Sequence, residues 1–157
     1  MFKSRVFRAF ISRSVGVLAL AAACLAFAAP VSDEQARTAA AAWLAAEQAP
    51  LGVPLNDTTG TPLPLQAEGT GTVLAYVMDL APSGYVIVAG DDRMQPILAF
   101  TSQGSADATL AGPVGDIIRA DLTLRLRSIE AGSKEPAFND RLAANAQQWR
   151  VLLGQEK

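Results

Sequence analysis

The sequence predicts an α+β domain in which amphipathic helices pack on one face of a small antiparallel β-sheet. Two observations carry that expectation. The β-prone runs Thr72–Leu80 and Tyr85–Ala89 are joined through Pro82-Ser83-Gly84, too short a link for anything but an antiparallel hairpin. Apolar residues recur at spacings of three and four on both sides of this centre, and no internal repeat divides the chain.

The elements follow in order. Ser32-Asp33-Glu34-Gln35 has the form of a capping box, and Ala36, Ala39, Ala40, Trp43 and Leu44 continue it as one helical stripe, predicting a helix over 33–48. Between Pro50 and Gly71, four prolines (50, 54, 62, 64) and four glycines (52, 60, 69, 71) interrupt regular structure, so this stretch reads mainly as connection with room for a short strand. In Thr72–Leu80 both alternating sets of residues are apolar, as a strand covered on both faces requires. Tyr85–Ala89 pairs with it at the sheet centre, and Pro96–Thr101 reads as a third strand, followed by a break at Gln103-Gly104-Ser105. Beyond Pro113, Ile118, Leu122, Leu126 and Ile129 form a stripe, with Asp116 and Asp121 early and Arg125 and Arg127 late, as the helix dipole favours. That helix is expected to end near Gly132, and a last one to run from Asn139 to Leu153, burying Leu142, Ala146, Trp149 and Leu152.

Composition removes whole classes of function. The 157 residues include no histidine and one cysteine. The chain therefore supplies no Ser-His-Asp triad, no Cys-His dyad and no ordinary zinc site from its own side chains. Residues 1–14 carry Lys3, Arg5, Arg8 and Arg13 and no acid, Val15–Phe27 is apolar, and Ala26-Phe27-Ala28 has the small-x-small form of a cleavage site. This is the pattern of a signal peptide over 1–28, cleaved at Ala28 or Ala29, which implies a secreted or periplasmic protein. The apolar run, about 13 residues, is shorter than the roughly 20 of a spanning helix, and the rest of the chain holds no stable membrane span. A lipoprotein signal would use Cys24 as its acceptor, but Ala21-Ala22-Ala23 lacks the usual leucine three residues upstream.

The remaining domain, 30–157, would then carry 9 basic and 15 acidic groups, a formal charge of 9 − 15 = −6. That balance argues against a nucleic-acid partner, which requires clustered Lys and Arg. Without a thiol it must fold in an oxidising compartment on its core alone, which a chain of about 130 residues can do. It is expected to be a monomer when free and to need no cofactor.

Residues 84–100, GYVIVAGDDRMQPILAF, are the distinctive stretch. The order is an aromatic after glycine (Gly84, Tyr85), a β run (Val86–Val88), Gly90-Asp91-Asp92-Arg93, Pro96-Ile97-Leu98, an aromatic (Phe100), a hydroxyl residue (Thr101) and a glycine (Gly104). This pattern resembles the pro-segment of streptopain-type secreted cysteine proteases and the free-standing inhibitors related to it, the Spi protease inhibitor family. The order of elements agrees over roughly 33–152. In the zymogens of the family a catalytic domain follows, where this chain stops at Lys157. The resemblance therefore implies either a free-standing inhibitor or a shortened proenzyme. It implies a protein partner, a papain-like cysteine protease of streptopain type, blocked by docking of the domain beside its cleft. No catalytic group is required of such an inhibitor. A non-inhibitory exported binding or structural domain is the alternative.

The turn can be read without the family. Gly90 can take positive φ at the strand end, Asp91 and Asp92 can accept backbone N–H bonds, and Arg93 is a fork donor for either carboxylate. On that reading the turn satisfies itself and joins two core strands. On a second reading part of it, Gly90 to Arg93 with Gln95 and Pro96, contacts the protease. A calcium or magnesium site at Asp91 and Asp92 is the third, opposed by the divergence of adjacent side chains on a strand and by the lack of a further acid at ligand spacing. Trp43, Trp149, Tyr76 and Tyr85 read as core. Ser83 lacks a histidine base, and the glycines at 69, 71, 84 and 90 lack the Lys-Ser or Lys-Thr of a phosphate loop.

Overall fold

The computed structural model describes residues 30–156 apart from 48, 51, 53, 54 and 56. The expected signal segment, with Cys24, Ala28 and Ala29, lies outside the described residues. Helix α1, Asp33–Ala46, opens with the capping box the sequence predicts: the Gln35 amide donates to Ser32 Oγ at 3.2 Å and the Ser32 amide to Gln35 Oε1 at 2.9 Å. Ala36, Ala39 and Ala40 are fully buried, so small side chains let this helix lie close to the layer beneath it.

Four strands form an antiparallel sheet in the order β1-β2-β3-β4. They are β1 Thr58–Gln66, β2 Val73–Leu80, β3 Tyr85–Ala89 and β4 Ile97–Thr101. The β2–β3 hairpin is central, as expected. Strand β1 is nine residues long where the sequence suggested mainly connection. It tolerates Pro62 and Pro64 because it is an edge strand, and the irregularity between Thr59 and Leu63 absorbs the residues that do not pair.

Successive residues Leu74 to Met78 of β2 and Val86 to Ala89 of β3 are buried, so both faces of the sheet centre are covered. Register places Met78, Val86 and Phe100 side by side. Trp43 of α1 packs on Phe100 with ring centroids 4.8 Å apart, and Tyr76 Oη on the same face donates to the Val31 carbonyl at 3.0 Å. That face carries the expected helical cover. On the opposite face Asp79 Oδ1 accepts the Ala106 amide at 2.6 Å, anchoring a short helix α2, Ala106–Ala111.

Helix α2 was not expected; at six residues it is too short to show a period, and its signal is Ser105, which caps it. Helix α3, Pro113–Ala131, follows after Gly112 and ends at Gly132 as predicted, with Leu122 buried and Ile118, Leu126 and Ile129 packed against the core. Helix α4, Pro136–Leu152, begins three residues before the expected Asn139 because Pro136 occupies its first turn, where a missing N–H loses nothing. Among the described residues no helix is long and apolar enough to cross a membrane.

Candidate functional site

The distinctive turn, residues 90–96, connects β3 to β4 and is tied to three other parts of the chain. The Gly90 amide donates to the Leu74 carbonyl at 2.9 Å, and the Gly90 carbonyl accepts the Val31 amide at 3.0 Å. The segment before α1 thus joins the turn, with a bridge between Pro30 and Asp91 beside it. Gly90 does not adopt the positive φ the sequence suggested. Its requirement is space, because a Cβ there would lie 2.4 Å from the Val73 carbonyl oxygen. Gly84, at the other end of β3, meets both demands: its φ is 102°, and a Cβ would come within 2.2 Å of the Thr101 carbonyl oxygen.

Asp91 is the buried acid of the turn, at 8% exposure. Its Oδ1 accepts the Arg93 amide and Nε, both at 2.9 Å, and its Oδ2 accepts Arg93 Nη2 at 2.7 Å. The guanidinium fork therefore chooses Asp91 of the two adjacent acids and grips it in a bidentate pair. The hydrogen bond that Arg93 donates to Asp91 raises the Arg93 pKa above its ordinary value; burial opposes the rise, and the fields of Asp91, Glu130 and Asp92 add to it. The Asp91 carbonyl also accepts the Met94 amide at 3.1 Å, closing the turn, and Ala89 donates to the Pro96 carbonyl at 2.9 Å where β4 begins.

Helix α4 completes the arrangement. Asn145 Nδ2 donates to the Arg93 carbonyl at 2.8 Å, and Trp149 Nε1 donates to the Met94 carbonyl at 2.9 Å. Both carbonyls, left unpaired by the reversal of the chain, acquire side-chain donors from residues more than fifty positions away. Trp149 is buried, as its place on a predicted stripe implied, but its polar edge has a specific task that periodicity does not reveal. Asn145 was not singled out by the sequence; only its position one helical turn before Trp149 points to it.

Of residues 90–96, Gly90, Asp91, Met94 and Pro96 are buried, Asp92 and Arg93 half-buried, and Gln95 alone exposed. The stretch from Pro50 to Gly71, expected mainly as connection, is likewise less irregular than its composition suggested, since 58–66 is strand. Among the described residues no group of three or more acids or cysteines is placed to hold a metal ion. Ser83 donates from its hydroxyl to the Ser102 carbonyl at 3.1 Å, a bond across the hairpin end.

Beside this turn, α3 leaves an open groove of about 620 Å³ against residues 67–74, with Leu74 and Leu126 in its lining and Glu68, Asp116, Arg119, Arg127 and Glu130 among its charges. Arg119 is occupied there: its Nη1 pairs with Asp116 at 2.8 Å and its Nε donates to the Gln66 carbonyl at 3.2 Å. The groove holds three carboxylates against two guanidinia, and it continues toward Tyr76 and Arg93.

Fold and turn together define a small α+β domain built around a hairpin loop whose polar groups are bonded within the chain. A family model described as Spi protease inhibitor matches residues 28–114, more than half of the chain, and the protein belongs to that family. The matched span contains α1, the whole sheet, the 90–96 turn and α2, and it stops at the start of α3. No curated protein and no solved structure matches the chain. The family is described as one of protease inhibitors.

Proposed function

We propose that this protein is an exported inhibitor of a papain-like cysteine protease of streptopain type, acting in trans as a pro-segment-like domain over residues 30–157. The family match over residues 28–114 carries this reading. The streptopain type comes from the resemblance of the stretch around Gly84–Gly104, and export from the basic and apolar pattern of residues 1–28.

Such an inhibitor acts by presenting a surface. The domain docks on the catalytic half of the protease beside its cleft and keeps the active-site thiol and imidazole out of alignment, so no reacting group is needed on its own side. The internal bonding of the 90–96 turn supports a rigid, pre-organised binder, which gives up little conformational entropy on association. Gln95 is the part of the turn that is open to a partner, while Gly90, Asp91, Arg93 and Pro96 hold the backbone that presents it.

Titration of purified residues 30–157 against a streptopain-type cysteine protease, with papain as control, tests the proposal. The eight helices and strands found among the described residues, with their hydrophobic core, lie within this span. Stoichiometric loss of activity in the first enzyme and none in the second is expected. A folded, monodisperse domain that leaves both enzymes active at large molar excess would overturn it.

A further inference from the structure

An amphipathic surface helix places charged and polar residues opposite its apolar stripe. Helix α3 does not. Its inner face carries Leu122 and Leu126, yet its outer face exposes Val114 at 53%, Ile117 at 68% and Leu124 at 65%. Projected at about 3.6 residues per turn, Ile117, Ala120, Leu124 and Ser128 form the middle of the solvent side, an uncharged ridge along the helix.

The charges that border this ridge are ordered. On one border Asp121 precedes Arg125, and on the other Asp116 precedes Arg127. A twofold axis perpendicular to α3 brings each border against the same border of a second copy running the opposite way. The early acid then faces the late base: Asp121 meets the other copy's Arg125, and Asp116 meets its Arg127. Parallel packing about a twofold axis along the helices would bring opposite borders together and set Arg125 against the other copy's Arg127.

We propose that the outer face of α3 is a self-association surface, on which a second copy of this chain packs antiparallel, Leu124 near the axis and Ile117 toward either end. The Asp121–Arg125 pair within each helix, 2.8 Å apart with the two side chains 50% and 60% exposed, supplies half of a four-membered charge ring that the second copy closes. One helix face offers less than the roughly 800 Å² per partner of a standard stable complex, so association with a dissociation constant on the order of 10–100 μM is expected. The sequence alone suggested a monomer when free; the outer face of α3 is the structural ground for expecting reversible dimers in concentrated protein.

Charge exchange tests this directly by sedimentation equilibrium of residues 30–157, with circular dichroism confirming the fold of each variant. Asp121→Arg makes every member of the ring positive, and Arg125→Asp makes every member negative, so each variant alone is expected to lose at least about tenfold in self-association. Mixed in equal amounts, the two should recover dimers, because one copy now supplies both bases and the other both acids. Leu124→Arg should abolish association and not be rescued by either. A wild-type chain that stays monomeric up to about 1 mM, or charge variants that associate as the wild type does and show no preference for each other, would overturn the proposal. Loss of protease inhibition by these variants in a monomeric wild-type background would overturn it as well and assign the face to the protease.

Discussion

The 90–96 turn and the outer face of α3 invert what their compositions suggest. The turn is rich in groups that bind partners, two acids, an arginine and a glutamine, yet nearly all of its hydrogen-bonding capacity goes to Asp91, Leu74, Val31, Asn145 and Trp149 within the chain. The middle of the outer face of α3 carries no charge and leaves Ile117 and Leu124 in water. A polar motif in a loop can thus serve the fold, while a helix that looks merely structural carries exposed apolar surface. The distinction rests on which groups remain unsatisfied, and that depends on long-range packing rather than on local sequence.

Substitutions sharpen this contrast, and the largest effect should come from the turn. Gly90→Ala drives a Cβ to 2.4 Å from a strand carbonyl, and neither backbone can yield without opening the β2–β3 pair. A loss of about 3–5 kcal/mol is expected in urea denaturation. A variant as stable as wild type would show that the close approach is relieved cheaply. Trp149→Phe keeps most of the ring and removes the donor to the Met94 carbonyl, so about 1–3 kcal/mol should be lost, with Asn145→Ala losing somewhat less.

Asp91→Asn preserves shape and removes the charge that the guanidinium grips. A loss of about 1–2 kcal/mol is expected, reduced from a fully buried pair because Arg93 keeps a side-chain exposure of 27%. Tyr76 supplies a pH test. Burial, with the field of Asp33 adding to it, raises its pKa above the ordinary 10.0. The unfolded chain therefore ionises first as pH rises, so the contribution of Tyr76 is complete below about pH 10 and declines as pH climbs above that value. Tyr76→Phe should flatten this alkaline decline in a series of melting temperatures, and an unchanged slope would contradict the assignment. Smallest of all, Gln95→Ala and Ile117→Ser should change monomer stability by no more than about 0.5 kcal/mol, since both side chains are exposed.

Much of the fold was legible because its signals are local. The capping box at Ser32, the apolar runs on either side of Pro82-Ser83-Gly84, and the stripe from Ile118 to Ile129 each lie within one element, and each matches the structure. Strand β1 was hidden because Pro62 and Pro64 normally exclude a strand, and only its place at the sheet edge permits them. The pairing of Asp91 with Arg93 could be anticipated from a two-residue separation. The choice of Asp91 over Asp92 could not, nor could the space requirement at Gly90, because both are set by neighbours from β2, the segment before α1, and α4. The four-residue motif thus announced a turn, while the reason for its residues lay more than fifty positions away.

The central claim is that this family member inhibits through a presented surface while the buried residues of its turn serve the fold. It is tested most directly by titrating a streptopain-type cysteine protease with wild-type residues 30–157 and with Asp91→Asn, at a temperature where circular dichroism shows both folded. The expected result is stoichiometric inhibition by both, the variant losing potency only as it unfolds on warming. A fully folded Asp91→Asn domain that no longer inhibits an enzyme the wild type blocks would contradict it, and would make Asp91 part of the protease contact.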